Sequence, residues 1–453
     1  ISNASPHLTP PAPSTRLIPR IWPAHSAERM DCGGDGGMDA LPDGVVQAIL
    51  SRLSSARDVA ACAGVSRSWR DCVPFLPFLY FPRSAFDAAR GGVACADDAI
   101  GRMVHAAARL EELVIYCPFS AARLPRWLAA RSASLRVLEL RVDSAWSGSG
   151  SGHLDCVAAA PNLEELRLWG LTMTREPAWG RLDRLRVLEI VGASLADLAV
   201  SGAVDACPNL TDLALLGCEC SGSVFLATPL LQRCRLDFVG SGTCSLALAA
   251  PLVESLEVQG FNYITLHGGD RLKRLTISKN TGRVNTVGID RLPVLEQLSL
   301  RGVQWSWGAV SHVLQCGAEA KHLVMKVEFC GDSDTLQPFP EVDLVEFFNS
   351  HPKLCKFEVH GAMFASLCQK NSLKNLDSRF LISSLEEVLI TVRSPLNAEQ
   401  KLITIESLVR YSPMLRRMVL RISQMKNCHE AADEFFEEVS KFAHMSNGRV
   451  RIE

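Results

Sequence analysis

The sequence lacks the features that mark several common functional classes. Its formal net charge is only −2 over 453 residues, whereas a protein that binds nucleic acid along its length usually carries a strongly basic footprint. No stretch reaches about 18 consecutive apolar residues, so no membrane-spanning helix is predicted. Six prolines and no signal-peptide core occur in the first 29 residues. We expect residues 1–37 to be a disordered head, with Met30 and Met38 as alternative starts.

Signatures of catalysis and of metal binding are absent as well. The sequence contains no G-x-S-x-G, no Walker loop, no H-E-x-x-H and no dinucleotide-binding glycine motif after a strand. His351 and His360 flank a predicted strand, but no cysteine or carboxylate stands at ligand spacing from them. We therefore predict no catalytic residue, no metal site and no cofactor.

The 16 cysteines form no C-x-x-C pair and are scattered through apolar runs. A buried, reduced cysteine behaves as a small apolar residue. This placement, without a secretory signal, predicts a reducing intracellular location, in the cytoplasm, the nucleus or both.

Leucine is abundant, at 59 residues, because a short pattern recurs. The pattern L-x-x-L-x-L occurs in about thirteen copies, mostly 21 to 28 residues apart. Clear copies begin at Leu110, Leu135, Leu163, Leu185, Leu210, Leu272 and Leu295, and looser copies at Leu231, Val253, Ala320, Leu354, Leu385 and Leu415. In seven copies a proline stands two residues before the first apolar position, where it ends a helix and lets a strand begin.

The repeat predicts a solenoid. The L-x-L portion reads as a short strand whose leucines point into a shared core while the residue between them points out. The rest of each repeat returns as a helix or an irregular turn, and neighbours must stack to bury their apolar edges. We predict an α/β solenoid, a leucine-rich-repeat horseshoe, over residues 97–382.

Residues on the outward side of the predicted strands are the candidates for binding. They mix glutamate, arginine and aromatic side chains, a composition that suits a protein partner better than a nucleic acid. Aromatic residues and arginine dominate the energy of such interfaces. The predicted substrate-binding residues on the concave face are Tyr116, Arg141, Arg167, Trp169, Glu189, Glu257 and Arg301.

The segment between Met38 and Pro82 has a different pattern, that of three short helices. The first opens at Leu41-Pro42 and carries Val45, Val46, Ile49, Leu50 and Leu53 on one broad face. The second begins near Asp58 and the third near Ser66, which precedes Trp69. So small a module buries little surface, and an apolar face left over is a candidate partner site.

This segment, LPDGVVQAILSRL followed by VSRSWRDCV, resembles the F-box, here assigned to residues 38–82. An F-box followed by leucine-rich repeats is similar to the plant F-box/LRR family, and residues 383–453 look like the FBD-type repeats and cap of that family. The helix HEAADEFFEEVSKFAHM belongs to this tail and has an apolar face that includes Phe435, Phe436 and Val439.

The resemblance implies a non-catalytic subunit of a Skp-cullin-F-box (SCF) ubiquitin ligase. In this family the F-box docks a Skp-type adaptor, which joins a cullin and a RING subunit, and the repeats hold a protein substrate. The residues that match the adaptor-binding motif are Leu41, Pro42, Ile49, Leu50, Leu53, Val65 and Trp69.

Two alternatives remain open from the sequence. One is an interaction scaffold outside any ligase, because the second helix reads VAACAGV, with alanines where the family commonly has larger apolar residues. The other is a small-ligand receptor of the hormone-sensing F-box type. Leu50, Val65 and Trp69 have an alternative role too, as the core of the small module itself.

Overall fold

The computed structural model describes most of the chain after residue 40. The described residues are 41–53, 55–85, 92–142, 154–219, 222–240, 243–280, 282–329, 340–370, 380–422, 429–446 and 448–453. The chain divides into two units, Ile1–Leu41 and Pro42–Glu453, and of the first only Leu41 is described. The predicted disordered head and both candidate start residues lie outside the described residues.

The three short helices of the N-terminal module are α1 (Asp43–Leu50), α2 (Ala56–Ala63) and α3 (Arg67–Cys72). Ser66 caps α3, because its Oγ accepts a hydrogen bond from the backbone N–H of Trp69 at 3.3 Å. Helix α2 begins earlier than expected. Its cap is Ser55, whose Oγ accepts from the N–H of Arg57 at 3.2 Å, rather than Asp58. A 3-10 helix, Val73–Phe75, ends the module.

Fifteen strands in the described part of the chain form one sheet. Every hydrogen-bonded pair in it is parallel, and the strands follow chain order. They are β1 (Phe78–Phe81), β2 (Glu112–Ile115), β3 (Val137–Arg141), β4 (Glu165–Trp169), β6 (Val187–Val191), β8 (Asp212–Cys218), β10 (Arg233–Phe238), β12 (Ser255–Gln259), β14 (Arg274–Lys279), β16 (Gln297–Trp305), β17 (His322–Phe329), β18 (Lys356–His360), β19 (Glu387–Thr391), β20 (Arg417–Arg421) and β21 (Val450–Ile452).

The register of this sheet confirms the predicted repeat. Each of the thirteen copies supplies one strand, and its two strand leucines, or their substitutes, are buried. The residue between them is half-buried or exposed in ten copies and buried in the other three, as Val114, Ser299 and Val419. Leu138, Leu166 and Leu188, for example, stand side by side on β3, β4 and β6 and are fully buried. Stacked parallel strands with one continuous core are the architecture of a solenoid, so the fold class is confirmed.

The return side of the repeats differs in part from the expected helix or turn. Four successive repeats return through short parallel strands, β9 (Ser223–Ala227), β11 (Ser245–Ala249), β13 (Tyr263–His267) and β15 (Thr286–Ile289). Two further short strands, β5 (Thr172–Met173) and β7 (Ser194–Leu195), pair with each other. The reason is local sequence: alternation in S-V-F-L-A and S-L-A-L-A suits a strand with one buried face.

The other return segments contain helices. These are α4 (Gly92–Ala106), α5 (Leu124–Ala130), α6 (Asp197–Asp205), α7 (Trp307–Cys316), α8 (Leu344–Ser350), α9 (Gly361–Gln369), α10 (Ala398–Tyr411) and α11 (His429–Met445). Helix α11 buries Phe435 and Val439 as expected, whereas Phe436 is 49% exposed.

The main sheet begins inside the segment assigned to the F-box. Strand β1 follows the 3-10 helix after two residues and pairs with β2 along its whole length. Its buried residues Leu79 and Phe81 join the solenoid core, as does Ala56 of α2. The N-terminal module is therefore continuous with the first repeat.

Candidate functional site

Helix α1 divides its apolar face between the protein interior and the surface. Val46 and Leu50 are 0% and 1% exposed and pack with Trp69 in the core of the module. Val45 and Ile49, one position earlier on each turn, are 44% and 37% exposed. Because the apolar face is wider than the part the module buries, it leaves large apolar side chains in contact with water.

The structure separates the predicted adaptor-binding residues into two groups. Leu41, Pro42, Ile49 and Val65 are exposed, and Leu53 is half-buried. Leu50 and Trp69, for which the sequence left open both an adaptor contact and a place in the module core, lie in that core. At 1% and 6% exposed, these two side chains present little surface to a partner. Val45 was not among the predicted adaptor-binding residues, although it lies four residues before Ile49 on the same helix face.

A groove of about 790 Å³ lies beside the module, between α2, the 3-10 helix and α4. Its lining includes Ala60, Val73, Phe75 and Met103. Phe75 is 45% exposed, and the Arg109 guanidinium lies 5.2 Å from its ring centroid. The groove is a second apolar surface of the module, and the sequence did not indicate it.

The predicted substrate-binding residues all lie on the outward face of the main sheet, at half-buried or exposed positions. Arg141, Arg167, Trp169 and Glu189 lie on the neighbouring strands β3, β4 and β6, and Tyr116 directly follows β2. Glu257 and Arg301 lie farther along the sheet, on β12 and β16. There Glu257 pairs with Arg235 at 3.1 Å, and Arg301 Nε donates to Ser299 Oγ at 3.0 Å. The structure thus brings five of the seven residues together.

Arg167 is the centre of an ion-pair network in this group. Its guanidinium lies 2.5 Å from a carboxylate oxygen of Glu165, 3.4 Å from Glu189 and 3.8 Å from Glu139. The Arg167 side chain is only 13% exposed. One cation shared by three carboxylates leaves the network with an excess of negative charge.

Aromatic side chains border this network. The Tyr116 ring packs edge-on against Tyr80 at a centroid distance of 5.6 Å and against Trp169 at 6.4 Å. The Tyr116 hydroxyl donates a hydrogen bond to Glu139. Burial, together with that carboxylate, raises the pKa of Tyr116 well above its usual value. Tyr80 was not predicted, because its strand had been assigned to the F-box.

A depression of about 370 Å³ lies toward the other end of the sheet, over β17 to β20. Its lining includes the apolar residues Val324, Leu389 and Val419 and the polar or charged residues His322, Lys356, Glu387, Arg417 and Arg421. Beside Val324, the Lys326 ammonium lies 2.6 Å from a carboxylate oxygen of Glu358, and His360 Nε2 lies 3.0 Å from the same oxygen.

Opposing effects act on the pKa values of Glu358 and His360. Burial alone would raise the pKa of Glu358, but hydrogen bonds from Lys326 and His360 outweigh burial and lower it. Burial lowers the pKa of His360 despite the carboxylate. Glu358 is therefore ionised at neutral pH and bound to its neighbours.

The outward face changes its charge along the sheet, and we divide it into three sections. The acidic section, on β1 to β4 and β6, has four carboxylates and two guanidinium groups: Glu112, Glu139, Glu165, Glu189, Arg141 and Arg167. The middle section, on β8, β10, β12 and β14, has three of each sign: Asp212, Asp237, Glu257, Arg233, Arg235 and Arg274.

The basic section, on β16 to β21, has six cationic side chains and three carboxylates. The cations are Arg301, Lys326, Lys356, Arg417, Arg421 and Arg451, and the carboxylates are Glu328, Glu358 and Glu387. Just past the strand ends, Arg393 and Glu453 add one charge of each sign, and they pair with Glu328 and Arg421. From first to last, the three sections carry net charges of −2, 0 and +3 on these described residues.

The thiols have the environment that the sequence predicted. The described cysteines are free, and most are buried. Burial raises the pKa of Cys207 and Cys234 to about 12, so at neutral pH these residues are neutral and apolar. In the described part of the chain, no three His, Cys, Asp or Glu side chains are grouped to hold a metal ion. Nor does any described helix have the length and apolar character needed to cross a membrane.

Comparison with known proteins shows which family the N-terminal module and the chain resemble. Residues 38–76 match the family model described as F-box-like. The chain is 50% identical over 420 residues to the F-box protein At1g10780 of Arabidopsis thaliana, which covers 92% of this chain and 100% of the relative. It is 26% identical over 277 residues to the F-box/LRR-repeat protein At1g67190 of the same plant, covering 58% of this chain and 64% of the relative. The F-box-like match and the 50% identity to a relative covered over its full length show that this chain belongs to the family of plant F-box proteins.

Proposed function

We propose that the protein is the substrate-recognition subunit of an SCF-type ubiquitin ligase inside the cell, and that it is not itself an enzyme. The F-box docks a Skp-type adaptor, and through it a cullin and a RING subunit. The outward face of the main sheet holds a protein substrate. Membership of the F-box family and the mixed, partly aromatic composition of that face support this assignment.

The observation that carries the proposal is the exposed apolar side of the module. Val45 and Ile49 remain in water although the module has an apolar core of its own to which they could have contributed. Val65, between α2 and α3, is 62% exposed. Large apolar side chains exposed on a small module are characteristic of a surface that a partner covers.

Binding to a purified Skp-type adaptor tests the proposal. We expect the double variant Ile49→Asp and Val65→Asp to bind the adaptor at least about tenfold more weakly than the wild type, because each charge would be buried at the interface. Leu198→Asp is the matched control, since Leu198 lies on α6 and is 76% exposed. It should bind like the wild type.

A separate variant tests the groove beside α4. If Phe75→Asp weakens adaptor binding as much as the double variant, the adaptor covers both surfaces. A wild-type protein that binds no Skp-type adaptor would contradict the ligase assignment and favour the scaffold alternative. Thermal unfolding of each variant shows whether a loss of binding reflects a loss of fold.

A further inference from the structure

The two ends of the outward sheet face carry opposite charge and are far apart. Between β3 and β18 the sheet contains nine steps from strand to strand. At about 4.8 Å a step, this places the centres of the acidic and basic sections roughly 43 Å apart along the sheet. Because charges at a surface are screened beyond about 8 Å in physiological salt, each end acts on a ligand independently.

Stability of the solenoid does not explain this separation. The ion pairs that join neighbouring strands are local, as between Arg167 and Glu189 or between Lys356 and Glu387 at 3.0 Å. Local pairing requires balanced charge within a section, which is what the middle section shows. An excess of one sign raises the electrostatic energy of that section unless a partner of the opposite sign covers it.

Each end also offers apolar contact area beside its charge. In the acidic section the rings of Tyr80, Tyr116 and Trp169 pack in sequence across the strands. In the basic section the depression is lined in part by the apolar residues Val324 and Leu389. Exposed ion pairs contribute little to stability, so the basic side chains around the depression can exchange their partners for carboxylates of a ligand.

We propose that this face binds one extended protein segment with a basic end and an acidic end. The basic end lies over the acidic section, near Tyr116 and Trp169, and the acidic end lies over the basic section, near Arg417 and Arg421. The inference rests on the proposed function in one respect, that the outward face is where the substrate binds. It adds the chemistry of the substrate and its direction along the sheet.

Fluorescence anisotropy with designed peptides tests the proposal on the full chain, in the presence and in the absence of a Skp-type adaptor. The probe has about four lysines and about four glutamates joined by about 20 Gly-Ser residues, which reach up to roughly 70 Å when extended. The matched probe has the same ends and a linker of about four residues, which reaches at most roughly 14 Å. We expect the long probe to bind at least about tenfold more tightly, since it engages both sections at once.

Variants at each end should remove this advantage. Glu139→Gln with Glu189→Gln acts at the acidic section, and Arg417→Gln with Arg421→Gln acts at the basic section. With either double variant, the long probe should bind no more tightly than the short probe. The matched control is Arg233→Gln with Arg274→Gln in the middle section, where both arginines are exposed, and it should keep the advantage.

Three results would overturn the proposal. Equal affinity for the two probes would show that the sections do not act together. An equal loss in the middle-section variant would show a nonspecific charge effect. Salt-sensitive dimers that the end variants abolish would show that a second copy covers the face. Adaptor binding distinguishes the failure of this proposal from the failure of the proposed function. A chain that binds the long probe but no Skp-type adaptor would contradict only the ligase role and would still support a binding site on the sheet face.

Discussion

At the scale of the residue, His351 links the stability of the fold to pH. It is 4% exposed, its Nδ1 lies 2.8 Å from the carbonyl oxygen of Phe347, and its ring lies 4.8 Å from the Phe347 ring. Burial lowers the pKa of His351 below its ordinary value of 6.5. The unfolded chain therefore binds more protons than the folded chain when the pH falls below about 6.5.

We expect the free energy of unfolding to fall as the pH drops from 7.5 to 5.5, and His351→Phe to lessen this loss. Urea unfolding at several pH values measures it. The exposed histidine His322 provides the control, because His322→Asn should keep the wild-type pH dependence. Some dependence should persist in His351→Phe, since burial also lowers the pKa of His360. A variant with the full wild-type dependence would contradict this account.

Single residues were also where the sequence was least informative about the site. Trp69 matches the family motif, but whether a motif residue belongs to the core or to the surface depends on how three helices pack. The same uncertainty affected Leu50 and Ile49. They are adjacent in sequence, but Leu50 is buried in the module core and Ile49 is exposed. Helical periodicity places both on one broad apolar face, and only tertiary contacts divide that face.

At the scale of the element, Gly260 directly follows β12 and lies close to the backbone of the preceding repeat. Its φ is +98°, and a Cβ atom built there would lie 2.0 Å from the backbone oxygen of Phe238 in the preceding repeat. Gly308, in α7, has ordinary helical φ and nothing within 4 Å of a built Cβ. The two glycines therefore make a matched pair.

We expect Gly260→Ala to lower the free energy of unfolding by more than about 1 kcal/mol, since both the backbone conformation and the contact are unfavourable. Gly308→Ala should be neutral or stabilising by up to about 1 kcal/mol, because alanine has the higher helix propensity. Chemical unfolding of the two variants measures both effects. Equal destabilisation by the two variants would show that the close approach of Gly260 to the preceding repeat does not make glycine necessary there.

The strands of the main sheet were largely predictable, and β1 was missed for an identifiable reason. Pro74, Leu76, Leu79 and Phe81 have the same spacing as the repeat, with proline two residues before the first apolar position. These residues were assigned to the F-box because that motif ends there. The strands on the return side were missed because a short alternating segment is compatible with a turn until its neighbours supply a pairing edge.

At the scale of the whole molecule, the F-box and the first repeats share buried contacts. Ala56 of α2 and Leu79 of β1 belong to the solenoid core, and Met103 of α4 packs against both that core and the module core. In a solenoid each unit is stabilised by its neighbours. The F-box therefore occupies the position of a unit that precedes the first repeat.

We expect Leu79→Ala to destabilise its surroundings by about 2–5 kcal/mol and to speed hydrogen exchange in both α2 and β2. Leu248→Ala, at a fully buried position on β11, should speed exchange around its own repeat and leave α1 to α3 unchanged. Hydrogen exchange followed by mass spectrometry resolves these regions. Unchanged exchange in α2 of Leu79→Ala would mean that the module is independent of the sheet.

The direct passage from the 3-10 helix to β1 has a consequence for ubiquitin transfer. Only Leu76 and Pro77 separate the two elements, and Leu76 is buried. In the proposed ligase, an adaptor bound to the F-box would set the direction of the sheet, with no flexible tether to swing a bound substrate. The lysines that receive ubiquitin would then be chosen by their distance along the substrate from the bound segment, rather than by their abundance on its surface.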